Sequence, residues 1–202
     1  MNYDIVSIAK NHCMQRLSKS RCAMLQFHNL RHTIEVYQNV LKIGKYERID
    51  LKMLEPVLLA ALFHDIGNSL VFEGHEDCSC HEARSFLSKY KYDKVKIAIV
   101  CACINATKMP QKPYSKFENI ICDADLYHLG TKMFFTKCEL LRREWSDFKK
   151  VNYSDEDWKV LNVCFLEKHK FHTSYGKNIL DPIKQENIKL LKTGYKRRII
   201  KD

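Results

Sequence analysis

Apolar residues recur along this chain at the three- and four-residue intervals that line one face of an α-helix, rather than at the alternation of a half-buried strand. The pattern predicts helices near 3–18, 30–44, 51–66, 76–90, 93–107, 117–129, 131–150, 155–170 and 184–199. Their joints carry suitable residues. Gly44 follows the second helix, Asp50 can cap the third, Gly67 can end it in a left-handed conformation, and Ser154 with Asp157 three residues on resembles a capping box. Pro110 and Pro113 in KMPQKPYS mark the longest clear loop. Only six glycines and four prolines interrupt the 202 residues, and no Pro/Gly/Ser-rich linker divides them. The expectation is an all-α fold, a compact helical bundle forming one domain over 1–202, with 184–202 a basic C-terminal helix or tail.

Composition narrows the setting. No run of eighteen apolar residues is free of charge, and MNYDIVSIAKNHC lacks the apolar centre of a signal peptide, so a cytoplasmic protein with no membrane partner is expected. Nine cysteines are scattered, with CSC at 78–80 and CAC at 101–103 in helical contexts and no CxxC pair; an odd number cannot pair completely within one chain, which favours reduced thiols. Thirty-four Lys and Arg against 24 Asp and Glu give a net charge of +10, which draws in phosphate-bearing ligands. Part of that excess lies in KTGYKRRIIKD, residues 192–202, either a nucleic-acid contact or a solvated helix end.

Three clusters carry candidate chemistry. In LKMLEPVLLAALFHDIG an apolar run ends in His64 and Asp65, and burying such groups without partners costs about 2 kcal/mol or more each. A divalent cation satisfies both, as does a helix-end pair bonded to backbone. In FHNLRHTIEV, His28 and His32 stand four apart and so share a helical face, as two arms of one site or as a packed interfacial pair. In IICDADLYHLG, Asp123 and Asp125 are about 200° apart around a helix, so one alone can serve a given point. Asp125 has the better claim, with His128 on a nearby face, leaving Asp123 as a partner behind the site or a solvated cap.

The order His32, His64-Asp65, Asp125 resembles the signature of the HD superfamily of metal-dependent phosphohydrolases. FHNLRH is similar to the YHNxxH motif of helical cyclic-nucleotide phosphodiesterases, with Phe27 in place of Tyr, and DADLYHLG resembles the element that supplies the last aspartate. A bacterial set of HD phosphohydrolases is closer still, its pattern recurring in GHEDCSC, ATKMP, DADLYHLG and FLEKHKFHTSYGKNILDPIKQENI, over most of residues 25–190.

The resemblance implies a compact HD-domain bundle whose His32, His64, Asp65 and Asp125 hold a divalent metal ion, with manganese, iron, zinc, cobalt and magnesium all compatible with the mixed donor set. It implies a phosphohydrolase or phosphodiesterase in which metal-activated water attacks phosphorus, Asp65 or Asp125 orients that water, and His28 protonates the leaving oxygen. Lys108 is a candidate for holding substrate phosphate, and His75 and Glu76 are candidates for substrate contact or for a second metal, although one metal per chain is the expectation. The expected partner is a phosphate-containing small molecule, a nucleotide in the first instance. The competing classes are a catalytically silent module that binds a nucleotide or RNA, and a di-iron HD oxygenase.

Overall fold

In a computed structural model of the chain, residues 4–193 are described; residues 194–202, which are most of KTGYKRRIIKD with its expected nucleic-acid contact, lie outside them. The described residues form nine α-helices and no strand: α1 (Ile5–Ser18), α2 (Leu30–Tyr46), α3 (Leu51–Phe63), α4 (His75–Lys89), α5 (Lys94–Ala106), α6 (Lys116–Asp125), α7 (Phe134–Lys149), α8 (Asp155–Lys168) and α9 (Asp181–Lys192). The expected all-α bundle is what the chain forms. Asp4, Asn29, Asp50, Asp93, Ser115 and Ser154 each begin a helix with a side-chain oxygen accepting one of its unpaired N–H groups. No helix among the described residues is long and apolar enough to cross a membrane.

From Pro56 on, helix α3 is apolar on every side, and such a helix must be surrounded. Leu54 and every residue from Pro56 to Phe63 are buried. Helices α1, α2, α4, α5 and α6 all pack on it. The buried positions of α2 (His32, Thr33, Val36, Val40, Ile43 and Gly44) follow the helical repeat as one stripe. His32 therefore stands on the core side of α2, facing the end of α3.

Three local expectations are corrected. Gly44 lies inside α2, where a Cβ would stand 2.5 Å from Leu54 Cδ2; it lets α3 approach, and the chain turns later through Arg48, whose φ is 55°. Helix α3 stops at Phe63, so Asp65 lies outside it and Ile66–Ser69 tighten into a 3₁₀ turn. Gly67 is not left-handed; Gly74 is the described glycine with positive φ. Gly67 is required by close approach instead, since a Cβ there would lie 1.9 Å from the carbonyl oxygen of His75. Its N–H donates to Ser79 Oγ at 2.9 Å, so the first turns of α4 press against the turn that carries His64 and Asp65.

Because that obstacle is backbone, Gly67→Ala is expected to destabilise the fold by about 3 kcal/mol. Urea denaturation of the variant measures this, and a change below about 0.5 kcal/mol would show that α4 yields freely.

Candidate active site

The side chain of Asn29 shapes the approach to α2. Its Oδ1 accepts from the N–H groups of Arg31 and His32, and its Nδ2 donates to the carbonyls of Leu25 and Gln26. The turn leaves His28 just ahead of the helix and His32 in its first turn, so the two histidines reach the same region from different backbone geometries. Two turns on, Asn39 donates to the carbonyl of Ala124 at 3.1 Å and fixes α2 against the end of α6, next to Asp125.

His32 Nε2 lies 3.2 Å from Asp125 Oδ1 and 3.6 Å from Asp65 Oδ2; His64 Nε2 lies 3.3 Å from Asp65 Oδ2 and 3.6 Å from Asp125 Oδ1. His32, His64 and Asp125 can each offer one ligand atom to a common point, these atoms lying within 4.8 Å of one another. A cation about 2.1 Å from each of its donors sets neighbouring donors roughly 3.0–3.4 Å apart, close to the spacings seen. His64 Nδ1–H donates to the Ala61 carbonyl at 2.9 Å, which turns Nε2 and its lone pair toward the cluster. Nε2 of His64 and Oδ2 of Asp65 are buried with no hydrogen-bond partner among the described residues. The donor set and these two orphaned atoms fit a divalent cation.

Electrostatics agree. Burial would lower the pKa of His64, but the charges of Asp65 and Asp125 beside it outweigh that and raise it well above the ordinary imidazole value. Burial would raise Asp65 and Asp125, yet the charge of His64 beside Asp65 and the hydrogen bond between His32 and Asp125 hold both below the ordinary carboxylate range. Two ionised carboxylates thus draw positive charge onto His64 between them, and a cation can take the place of that proton.

His28 has a separate partner. Its Nδ1–H donates to Oε1 of Glu144 on α7, whose Oε2 accepts from the backbone N–H groups of Phe27 and His28 at 2.7 and 2.9 Å. Glu144 is 1% exposed, so this carboxylate serves His28 and its backbone rather than solvent. Burial would lower the pKa of His28, but the Glu144 hydrogen bond and the charges of Asp65 and Glu144 raise it above its ordinary value. Phe27 fills the space behind, its ring 4.8 Å from His28, 4.9 Å from His32 and 5.3 Å from His128 between centroids. Burial and the charge of His32 pull His128 down to about 3, leaving it a neutral wall of the site.

The other expected residues divide. His75 Nε2 stands 3.2 Å from Asp65 Oδ1, with its Nδ1 donating to the Phe72 carbonyl; Glu76 is buried with an oxygen 3.7 Å from His75 Nδ1. Lys108 is exposed on the turn after α5. From that loop it is Gln111 that touches the cluster, donating to Asp125 Oδ2 at 3.2 Å while its own Oε1 is buried without a partner among the described residues. Asp123 faces away and is fully buried, accepting from the N–H of His172, the N–H of Thr173 and the Thr173 hydroxyl. It ties α6 to the chain leading into α9. Sequence reading missed Glu144 and Gln111 because neither spacing nor composition marks them.

The HD-domain family model matches residues 29–130, just over half of the chain, and the span contains His32, His64, Asp65 and Asp125. The chain belongs to the HD-domain family. Membership in this family of metal-dependent hydrolases accords with the all-helical fold and with the cluster of His32, His64 and Asp125. Comparison with curated proteins and with solved structures gives no significant match. The HD match begins one residue after His28 and ends before α7, so the pairing of His28 with Glu144 rests on geometry alone.

Substitution separates ligands from scaffold. His64→Ala and Asp125→Ala are expected to lose a bound divalent cation in metal analysis, whereas Asp123→Ala should keep it and lose roughly 3 kcal/mol of stability, because it strands three buried donors. Cation retention by His64→Ala would contradict this assignment.

Proposed function

We propose that the protein is a divalent-metal-dependent phosphohydrolase that cleaves a phosphomonoester or phosphodiester, with a nucleotide as the favoured substrate class. The observation that carries this reading is a proton-holding His28–Glu144 pair beside a cluster suited to a divalent cation. Asp65, absent from the three-residue cluster, completes the ligand set in this reading because its Oδ2 is 3.3–3.6 Å from both imidazole nitrogens. The cation supplies Lewis-acid stabilisation of phosphoryl charge and a more acidic water.

The chain's own groups do the rest. His28, protonated and held by Glu144 through Nδ1, presents its other N–H to the leaving oxygen. Asp65, whose Oδ1 accepts from Asn68 Nδ2, is the carboxylate placed to orient an attacking water. Arg21 donates through Nε to the Asn68 carbonyl, and its guanidinium lies over the Phe72 ring at 4.1 Å, while one Nη is buried without a partner among the described residues. Lys149 Nζ stands 5.7 Å from the same ring. These two cations near the His75 turn favour a substrate with phosphate oxygens, and the HNxxH start of α2 favours a nucleotide. We assign one cation per chain; His75, beside the second oxygen of Asp65, supports a two-cation reading, and metal stoichiometry separates the two.

A screen of nucleoside mono-, di- and triphosphates, cyclic nucleotides and bis(p-nitrophenyl) phosphate against the purified protein with each divalent cation tests this reading. Absence of cation-dependent hydrolysis of every ester would refute it. His28→Ala should lower kcat roughly 10²- to 10⁴-fold on esters with a poor leaving group and far less on bis(p-nitrophenyl) phosphate, whose leaving group needs no proton. As an acid whose pKa is raised by Glu144, His28 gives an activity that falls as pH rises through that value. Glu144→Gln should therefore move the alkaline limb of kcat/KM to lower pH; an unmoved limb means that Glu144 does not set the proton on His28.

A further inference from the structure

The two cysteine motifs, CSC at 78–80 and CAC at 101–103, take no part in the site. Helices α4 and α5 pack along one another and bring one cysteine of each motif together. Cys80 Sγ lies 3.4 Å from the carbonyl oxygen of Cys101, and Cys101 Sγ lies 3.8 Å from that of Cys80, so each sulfur rests on the other residue's backbone. Cys80 S–H donates to the Cys101 carbonyl and toward Asn105 Oδ1 at 3.3 Å, and Arg84, one turn beyond Cys80, is exposed. The neighbouring Cys80 thiol and the Arg84 guanidinium outweigh burial and draw the Cys101 thiol down to about 6, while Cys13, Cys103, Cys122 and Cys138 are pushed up by burial. Cys80 and Cys101 are 9% and 6% exposed, beneath a surface guanidinium, whereas Cys13 and Cys103 are fully enclosed.

We propose that Cys80 and Cys101 form a reversible redox pair that hydrogen peroxide converts to a disulfide joining α4 to α5. The Cys101 thiolate attacks one peroxide oxygen; the O–O bond breaks, Cys101 becomes a sulfenic acid, and the departing hydroxide takes up the proton that the thiol had lost. Cys80 sulfur then bonds to Cys101 sulfur as the S–O bond breaks, and its proton leaves with the hydroxyl as a second water. Two thiols lose two electrons to one peroxide. Each sulfur already rests within 4 Å of the other residue's carbonyl oxygen, and the disulfide forms by turning the two side chains toward one another. The helices so joined are those that lead to His75 and to the loop of Gln111, with α4 also holding the Gly67 N–H through Ser79.

The test uses the full chain carrying Cys164→Ser, which removes the exposed thiol able to bridge two molecules. After one equivalent of hydrogen peroxide, alkylation and digestion, mass spectrometry is expected to find a single crosslinked peptide, Cys80 to Cys101, with two thiols lost per chain and both restored by dithiothreitol. Cys80→Ser should instead leave a dimedone-reactive sulfenic acid on Cys101, and Cys101→Ser should form neither product. Bridging of Cys80 to Cys78, or of Cys101 to Cys103, in preference to Cys80–Cys101 would overturn the proposal, as would all thiols surviving peroxide. Peptide mapping needs no substitution at either residue, so misfolding of the serine variants leaves the result decisive.

Discussion

A buried and a half-buried carboxylate facing two buried imidazoles set the terms for the rest of this molecule. Helix α3 is apolar all round from Pro56 to Phe63 and must sit at the centre, so whatever follows Phe63 is delivered into the interior. There the chain places His64 and Asp65. Neither is stable in that position without compensation, and compensation comes from the core stripe of α2 through His32 and from the last residue of α6, Asp125. Three helices are thus committed to one point by the cost of burying charge, and the same arrangement leaves Nε2 of His64 and Oδ2 of Asp65 turned into a shared space.

Around that point the supports are mostly backbone. The Ala61 carbonyl orients His64, the Phe72 carbonyl orients His75, and the Ala124 carbonyl anchors Asn39 of α2. Gly67 lets α4 close over the turn at a distance that admits no Cβ. Outside the span that matches the HD family, α7 sends in Glu144, which sets both the backbone position and the protonation of His28. His32, His64, Asp65 and Asp125 therefore all lie in the family segment, and the carboxylate that pairs with His28 comes from a helix beyond it.

Much of this was legible in the sequence, for identifiable reasons. Helical spacing and capping residues marked the nine helices, and the abrupt change from LLAALF to His64-Asp65 marked the site, because an apolar run that ends in ionisable groups demands partners. The two-residue spacing of Asp123 and Asp125 separated them, and they do face opposite surroundings. Glu144 was not legible: α7 reads CELLRREWSDF, and nothing in the spacing distinguishes Glu144 from Glu139, which pairs with Arg143 at the surface. Lys108 attracted notice for its charge, yet Gln111 reaches Asp125, since the path of a loop is decided by packing rather than by residue type. Gly44 and Gly67 looked like helix stops, but both serve close approach, a tertiary demand that a single sequence does not display.

The central claim is that these carboxylates and imidazoles exist to hold a divalent cation. A crystal structure of the protein grown with manganese, with anomalous scattering recorded, tests it most directly. The account predicts one strong peak about 2.2 Å from Nε2 of His32, Nε2 of His64, Oδ2 of Asp65 and Oδ1 of Asp125. A crystal with no peak there, the imidazoles instead hydrogen-bonded to the two carboxylates, would contradict it and leave the cluster as a buried ion-pair network.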